Sequence, residues 1–146
     1  MQQNQRASIT GIGSYLPGKV LTNYDLEKMV DTSDDWIIQR TGIRERRIVE
    51  NGQITSDLAT QASLRAMEDA GVSPKDLDMI ITSTITPDHI FPSTSCYIQQ
   101  KIGASRASAF DILAACAGFI YAMSIGQSFV NSGAMETVLV VGAECL

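Results

Sequence analysis

The chain has 146 residues, of which 45% are hydrophobic and 18% are charged. This composition excludes an intrinsically disordered protein, and the length allows a folded domain with a buried core. The formal net charge of −5 leaves no basic excess to neutralise phosphates, which excludes a general nucleic-acid-binding protein.

The start of the chain and its cysteines bear on where the protein works. Met1 to Arg6 is polar, and neither a signal-peptide-like apolar region nor a run of about 18 apolar residues follows. Cys96, Cys116 and Cys145 are odd in number and lack CxxC or CxxH spacing, so we predict neither a disulfide framework nor a metal site. We therefore expect a cytoplasmic protein.

The first third of the chain predicts a strand, two short helices and an exposed segment. Small polar residues precede both helical patterns, with acidic residues in the first turns, as is typical of capped helix starts. The predicted elements are a strand over Ala7–Tyr15, a helix from Thr22 or Asn23 to Val30, a helix from about Thr32 to Arg40 that Gly42 ends, and an exposed strand or loop over Ile43–Glu50.

The rest of the chain alternates predicted strands and helices. The strand candidates are rich in β-branched residues, whereas the helical candidates repeat apolar residues every three or four positions. The predicted helices are Ser56–Ala70, a turn at Ser73–Pro74, Ser95–Ile102 and Cys116–Ser132, and the predicted strands are Met79–Ile85, Ala109–Leu113 and Thr137–Val141. Strands separated by helices indicate an α/β fold with a largely parallel sheet.

The segment FDILAACAGF, from Phe110 to Phe119, predicts a nucleophile. Cys116 lies between small residues where a strand turns into a helix, so a substrate can approach its thiol closely. The N-terminus of the helix presents free N–H groups and a positive potential, which favour a thiolate and can hold an oxyanion. The alternative interpretation is a buried core cysteine, a common environment for this residue type.

The helix predicted from Cys116 to Ser132 is apolar around most of its circumference. Such a pattern is typical of a helix that is covered on nearly all sides. A three-layer domain does not provide that cover, so the pattern implies a layer of protein that these 146 residues do not contain. The apolar residues are Phe119, Ile120, Tyr121, Ala122, Met123, Ile125, Phe129 and Val130.

Five segments of the chain together carry a family resemblance. They are GIGSYLPGKVLTN (Gly11 to Asn23), DTSDDWIIQRTGIRER (Asp31 to Arg46), FPSTSC (Phe91 to Cys96), AFDILAACAGF (Ala109 to Phe119) and VLVVGAE (Val138 to Glu144). In this order they resemble the β-ketoacyl-acyl-carrier-protein synthase III family of the thiolase superfamily, over essentially the whole chain. The segment that contains Trp36 favours type III over other condensing enzymes.

The resemblance implies a thiolase-like α/β fold, in which two similar βαβαβ halves stack as five layers, α-β-α-β-α. It implies that residues 1–146 are the N-terminal half-domain, which carries the nucleophilic cysteine, and that the C-terminal half is absent. In this family a histidine and an asparagine from the second half work with the cysteine. The chain by itself is therefore expected to be inactive.

The resemblance further implies an acyltransferase that initiates fatty acid synthesis. Its expected substrates are acetyl-CoA, or another short acyl-CoA, and malonyl-acyl carrier protein, joined by decarboxylative Claisen condensation through a cysteine acyl-enzyme. A homodimer is implied, and no separate cofactor. Two alternatives remain open: a condensing enzyme of polyketide or hydroxymethylglutaryl-CoA type, and a non-catalytic half-domain that acts as an assembly unit.

Four residues match family positions for the nucleophile and for coenzyme A. Cys116 matches the nucleophile. Trp36 and Arg40 share a face of a predicted helix and match the pair that stacks on the adenine of coenzyme A, with Thr32 near the same base. Their spacing alone favours a packed tryptophan with a solvated arginine.

Two further residues match family positions at the acyl pocket. Phe91 matches a phenylalanine that crosses the dimer interface and closes the partner's pocket, although a loop phenylalanine before a proline also fits a core position. Leu146 matches a pocket-lining position. His89 lies in the same predicted loop, and we expect an exposed histidine rather than a general base for Cys116.

Overall fold

The computed structural model describes residues 6–50 and 52–146, which form two compact units. One unit contains Ile54–Leu146 together with the described residues that precede Leu16, and the other comprises Leu16–Gln53. Residues 1–5, from whose polar character we expect no signal peptide, lie outside the described residues. Within the described ranges, no helix is long and apolar enough to span a membrane.

The smaller unit joins a two-stranded antiparallel ladder to two short helices. Thr22 and Ser33 cap the helices with their side chains, and Gly42 ends the second helix in the left-handed conformation, as predicted. The exposed segment that follows is a strand. The elements are β1 (Lys19–Thr22), α1 (Asn23–Glu27), α2 (Asp34–Thr41) and β2 (Glu45–Ile48).

A fully buried asparagine links the elements of the smaller unit. The Asn23 amide donates to Asp34 Oδ1 at 2.7 Å and to the carbonyl of Ile43 at 2.8 Å. Its side-chain oxygen accepts from the guanidinium of Arg46. Because both ends of the buried amide are satisfied, this polar group joins α1, α2 and β2 without an unpaired donor or acceptor.

A three-stranded parallel sheet forms the centre of the larger unit, which confirms the predicted sheet type. Its strands are β3 (Met79–Ser83), β4 (Ser108–Ile112) and β5 (Val138–Gly142), in the order β4–β3–β5. Every residue of β3 is buried, and Ile81 lies opposite Phe110 and Val140 on its two neighbours. A central strand that is covered on both faces explains the unbroken apolar start of this segment.

Helices cover both faces of this sheet. The helices are α3 (Thr55–Ala70), α4 (Thr94–Ile102) and α5 (Gly118–Asn131). Ile80 packs in one core with Ile98 of α4, whereas Ile81 packs in a second core with Ala122 of α5. Side chains alternate along a strand, so the two neighbouring isoleucines fill different layers. Truncation of either to alanine would cost about 2–5 kcal/mol.

The predicted strand over Ala7–Tyr15 is wrong, because its described residues form no ladder with another strand. The segment instead lies against α3. A Cβ atom at Gly11 or Gly13 would collide with the backbone of that helix, and the N–H of Ile12 donates to the Asp69 carboxylate at 2.9 Å. The sequence pattern favours a strand, but strand formation also needs a paired neighbour.

A cavity of about 690 Å³ separates this N-terminal segment from β5. Residues 6–13 and Val138–Gly142 line the cavity, together with residues of α3 and α5 such as Ala66 and Met123. Within the described residues β5 pairs with β3 alone, so its outer edge faces this cavity without a strand partner.

The predicted helix over Cys116–Ser132 begins later than expected. A 3₁₀ turn covers Ala115–Ala117, and α5 starts at Gly118, so Cys116 precedes the α-helix. The apolar face of α5 remains largely uncovered in the described structure. Its exposed large apolar residues are Phe119, Ile120 and Tyr121.

Candidate active site

Cys116 occupies the connection between the sheet and α5. β4 ends at Ile112, and the 3₁₀ turn then places the Cys116 thiol, which is free and exposed, before the first turn of the helix. Cys116 therefore does not belong to the core of the described unit. The thiol is therefore accessible to a reagent or substrate from solvent.

The residue before Cys116 adopts a left-handed backbone conformation. Ala115 has a φ of 45°, and among the described residues it is the one non-glycine residue with a positive φ. Such a conformation costs about 1–2 kcal/mol for a residue with a Cβ atom. Strained turns of this kind are concentrated where a side chain must be held in a functional position.

The first turn of α5 lies directly behind the thiol. Its N-cap residue, Ala117, makes no side-chain capping hydrogen bond. No side chain competes for the amide groups of this turn, although the N–H of Gly118 already donates to the carbonyl of Ala115, and the helix end carries a partial positive charge. A thiolate at Cys116, or an oxyanion formed from its acyl adduct, would be stabilised there.

Close packing between β3 and α5 fixes the position of this turn. A Cβ atom at Gly118 would overlap the hydroxyl of Ser83, which is buried at the end of β3. Only glycine fits at this position without displacement of its neighbour. The sequence analysis includes Gly118 among the small residues but does not predict its contact with Ser83.

Three of the predicted site residues belong to one edge of the sheet. Because β3, β4 and β5 are parallel, their carboxyl ends share an edge, and α/β folds bind ligands at such edges. Phe91 lies in the loop after β3, Cys116 in the turn after β4, and Leu146 in the segment after β5. Phe91 is 87% exposed and so lies outside the core of the described unit, and Leu146 is also exposed.

Two carboxylates that the sequence analysis does not single out fix the segments around this edge. Asp111 on β4 accepts the backbone N–H groups of Thr94 and Ser95 at 2.6 and 2.8 Å, and so caps α4. Glu144 accepts the N–H of Ile85 at 3.2 Å. The sequence signal for both was a charged residue at or just beyond an apolar strand.

His89 is exposed, as expected, and its ring centre lies 5.6 Å from that of Tyr97, with the two ring planes tilted by 48°. Residues 6–50 and 52–146 contain no group of three histidine, cysteine or acidic side chains arranged to hold a metal ion.

The smaller unit brings together the three residues assigned to coenzyme A. Trp36 is 55% exposed, which excludes the packed interpretation, and the Arg40 guanidinium carbon lies 5.4 Å from the centre of its ring. Thr32, Asp31, Ser33 and Trp36 line an open pocket of about 320 Å³. A planar base stacked between the indole and the guanidinium needs a separation of roughly 7 Å between these two groups, which is two contacts of about 3.5 Å. Arg40 must therefore move away from the Trp36 ring before a base can enter between them.

Comparisons with known proteins agree with this architecture. The model of the 3-oxoacyl-[acyl-carrier-protein] synthase III family matches residues 110–146. A β-ketoacyl-[acyl-carrier-protein] synthase III from Caldanaerobacter subterraneus subsp. tengcongensis is 62% identical over 140 residues, which cover 96% of this chain and 42% of that protein. One from Xanthomonas campestris is 58% identical over all 146 residues and 45% of its length.

Solved structures give the same result. The 3-oxoacyl-[acyl-carrier-protein] synthase III of Aquifex aeolicus superposes with a TM-score of 0.91 at 55% identity, over 94% of this chain and 44% of that chain. The priming β-ketosynthase of the R1128 polyketide pathway superposes with a TM-score of 0.92 at 39% identity, over 99% and 44%.

These matches and the parallel sheet define a protein of the thiolase-like fold class. Within that class, the chain is similar to the β-ketoacyl-[acyl-carrier-protein] synthase III proteins, and the model of that family matches its last 37 residues, 110–146. It spans less than half the length of the curated relatives that it matches.

Proposed function

We propose that this chain is the N-terminal, nucleophile-bearing half-domain of an acyltransferase that initiates fatty acid synthesis. The observation that carries the proposal is the exposed Cys116 thiol, held by a strained turn between β4 and the uncapped start of α5. An accessible thiol beside a helix start that no side chain caps suits attack on a thioester. We include acyl carrier protein as a partner because it appears in the names of the relatives.

The first step is acylation of Cys116. Its thiolate attacks the carbonyl carbon of a short acyl-CoA, and the resulting oxyanion is stabilised near the first turn of α5. The tetrahedral adduct then collapses, the bond to the sulfur of coenzyme A breaks, and coenzyme A leaves as its thiolate. The acyl group is now a thioester of Cys116.

The second step is condensation. Malonyl-acyl carrier protein loses carbon dioxide, and the electron pair of the broken carbon–carbon bond forms a carbanion. That carbanion attacks the acyl carbon, the bond to the Cys116 sulfur breaks, and the thiolate is regenerated. The product is a β-ketoacyl thioester on the carrier protein. Covalent catalysis of this kind divides one difficult reaction into two easier steps.

The condensation needs a histidine and an asparagine that we assign to the C-terminal half. His89, whose ring contacts that of Tyr97, is not assigned the role of this histidine. The uncovered face of α5 and the cavity beside β5 support the proposal that further polypeptide completes the fold. Phe91 and Leu146 would line the acyl pocket, with Phe91 closing the pocket of a second subunit in a homodimer.

Coenzyme A is proposed to bind through its adenine at Trp36. The exposed indole offers a stacking surface, and Thr32 borders the adjoining pocket. Arg40 covers the ring in the structure and would restack on the adenine when the nucleotide enters. The three cysteines are free thiols, which suits a reducing cytoplasm.

Intact-mass measurement after incubation with acetyl-CoA tests the proposal. We expect one acetyl group per chain, lost in the Cys116→Ser variant and retained in the matched Cys96→Ser variant. Acetylation that persists in Cys116→Ser would overturn the assignment of the nucleophile. In the assembled enzyme, a preference for malonyl-CoA over carrier-bound malonyl would favour the polyketide or hydroxymethylglutaryl-CoA alternative.

A further inference from the structure

The hydroxyl of Thr86 joins two segments that the proposed function assigns to the acyl pocket. It donates to Oε2 of Glu144 at 2.9 Å and accepts the backbone N–H of Cys145 at 2.9 Å. Thr86 belongs to the loop after β3, and both partners belong to the segment after β5. One side chain therefore connects the loop that carries Phe91 to the residue that precedes Leu146.

Further hydrogen bonds strengthen the same connection. The Glu144 carboxylate accepts the N–H of Ile85 at 3.2 Å, and the hydroxyl of Thr84 accepts the N–H of Thr86 at 3.1 Å. Hydrogen bonds to a carboxylate are stronger than those between neutral groups. The start of the loop is thus held from the side of β5.

The opposite side of the loop is held by α3. The hydroxyl of Thr55 donates to the carbonyl of Thr86 at 2.6 Å, and the N–H of Ser56 donates to Oδ1 of Asp88 at 3.0 Å. Both donors lie in the first turn of α3, which packs in the core of the unit. Thr86 therefore has a fixed backbone from which its hydroxyl can set the position of Cys145.

We propose that Thr86 is a positioning residue that sets the acyl-chain-length preference. Through the Cys145 amide it holds Leu146, a proposed wall of this subunit's pocket, against the start of the loop whose Phe91 is proposed to close the second subunit's pocket. This inference rests on the proposed function, in which Leu146 lines the acyl pocket of its own subunit and Phe91 closes that of the second subunit. Thr86 acts through these residues and not on the reacting atoms.

Three variants isolate the hydroxyl of Thr86. Thr86→Val keeps the shape of the side chain and removes both hydrogen bonds, whereas Thr86→Ser retains the hydroxyl. Thr60→Val is the matched control, since the buried hydroxyl of Thr60 has no hydrogen-bond partner among the described residues. If Thr86→Val does not fold by circular dichroism, Glu144→Gln replaces one accepting oxygen with a donor and carries the same expectation.

The first readout is the initial rate of Cys116 acylation by acetyl-, butyryl-, hexanoyl- and octanoyl-CoA, followed by intact mass. We expect Thr86→Val to change the ratio of the octanoyl-CoA rate to the acetyl-CoA rate about fivefold or more. A change of this size corresponds to the net free energy of a typical hydrogen bond. Thr86→Ser and Thr60→Val should keep the wild-type ratio. The second readout is amide hydrogen exchange at Ile85 and Cys145, which should accelerate in Thr86→Val alone.

An unchanged ratio in Thr86→Val, with the rates retained, would overturn the inference. So would an equal change in Thr60→Val, because the effect would then follow the loss of any threonine hydroxyl. Failure of all four substrates to acylate the wild-type chain would count against the proposed function. In that case hydrogen exchange decides the inference: unchanged exchange at Ile85 and Cys145 overturns it, and faster exchange in Thr86→Val alone supports it.

Discussion

At the scale of single residues, Ala115 determines how Cys116 is presented. The positive φ of Ala115 turns the chain sharply between β4 and α5 and leaves the thiol exposed. A residue with a Cβ atom adopts this conformation at a cost of about 1–2 kcal/mol. The strain persists because packed elements hold both ends of the turn.

Replacement of Ala115 by glycine should therefore stabilise the chain. We expect Ala115→Gly to raise the free energy of unfolding by about 0.5–1 kcal/mol, because the relieved strain exceeds the entropy that glycine loses on folding. Ala62→Gly, in the interior of α3 where no positive φ has to be relieved, is the matched control, and it should lower the free energy of unfolding by about 0.5–1 kcal/mol. Urea titrations measure both, and a destabilised Ala115→Gly variant would contradict the strain argument.

The sequence indicates the nucleophile but not the residues that hold it. Cys116 was predictable because small neighbours and a following helix are local features. Ala115 carries no signal, since alanine, unlike glycine, does not suggest a positive φ. The sequence does not show the contact between Thr86 and Glu144 either, because the two residues are 58 positions apart in the chain.

At the scale of elements, β3 and α5 meet at Gly118. A Cβ atom there would overlap the buried hydroxyl of Ser83. Gly118→Ala should lower the free energy of unfolding by about 1–3 kcal/mol, the usual cost of overpacking. In the double variant that combines Gly118→Ala with Ser83→Gly, the loss of unfolding free energy should be about 1 kcal/mol smaller than the sum of the losses in the two single variants. Additive losses in a denaturant-based double-mutant cycle would show that the two positions do not interact.

Capping of α1 predicts a pH dependence of stability. The hydroxyl of Thr22, and then its backbone N–H, lower the pKa of Asp25 from 3.8 to about 2. Because the pKa of Asp25 is lower in the folded state, its carboxylate contributes fully to folding stability above pH 3.8. This contribution is lost as the pH falls through about 2. Asp25→Asn should therefore make the fall in stability between these pH values shallower.

Unfolding titrations across this range check the expectation for Asp25. Glu68→Gln, at an exposed position of α3, controls for the loss of one carboxylate. A slope in Asp25→Asn as steep as that of the wild type would show that the cap does not titrate as described. Hydrogen bonds from Thr137 and Glu136 also lower the pKa of Asp78, so part of the slope should remain.

Element boundaries follow from local patterns more closely than strand pairing does. The periodicity of Ser56–Ala70 and the glycine after it predict α3 to within one residue. The segment Ala7–Tyr15 has a strand-like composition, but the sequence does not show which strand would pair with it. The helix α5 begins at Gly118 and not at the predicted Cys116, because the strained 3₁₀ turn over Ala115–Ala117 includes the first residues of the predicted helix.

At the scale of the whole molecule, the described surfaces are those of a partial fold. The chain spans 42% and 45% of two relatives, and the apolar residues Phe119, Ile120 and Tyr121 are exposed on α5. We expect the purified chain to self-associate through such a surface. A monodisperse monomer in light scattering would contradict the interpretation of this face as an interface.

The same incompleteness predicts the activity of the chain alone. With acetyl-CoA and malonyl-acyl carrier protein, we expect no carbon–carbon bond formation, because the proposed histidine and asparagine are not supplied. Radiolabelled product analysis checks this, with a complete relative such as the Xanthomonas campestris protein as the positive control. A β-ketoacyl product from the isolated chain would show that it contains a complete catalytic set.

The central claim is that Cys116 is the nucleophile, and competition within one molecule tests it most directly. The wild-type chain carries three free thiols: Cys116 is exposed just before α5, whereas Cys96 and Cys145 are half-buried. After brief exposure to acetyl-CoA, peptide mapping by mass spectrometry should place the acetyl group on Cys116 alone. An acetyl group distributed among the three thiols, or located on Cys96 or Cys145, would contradict the account.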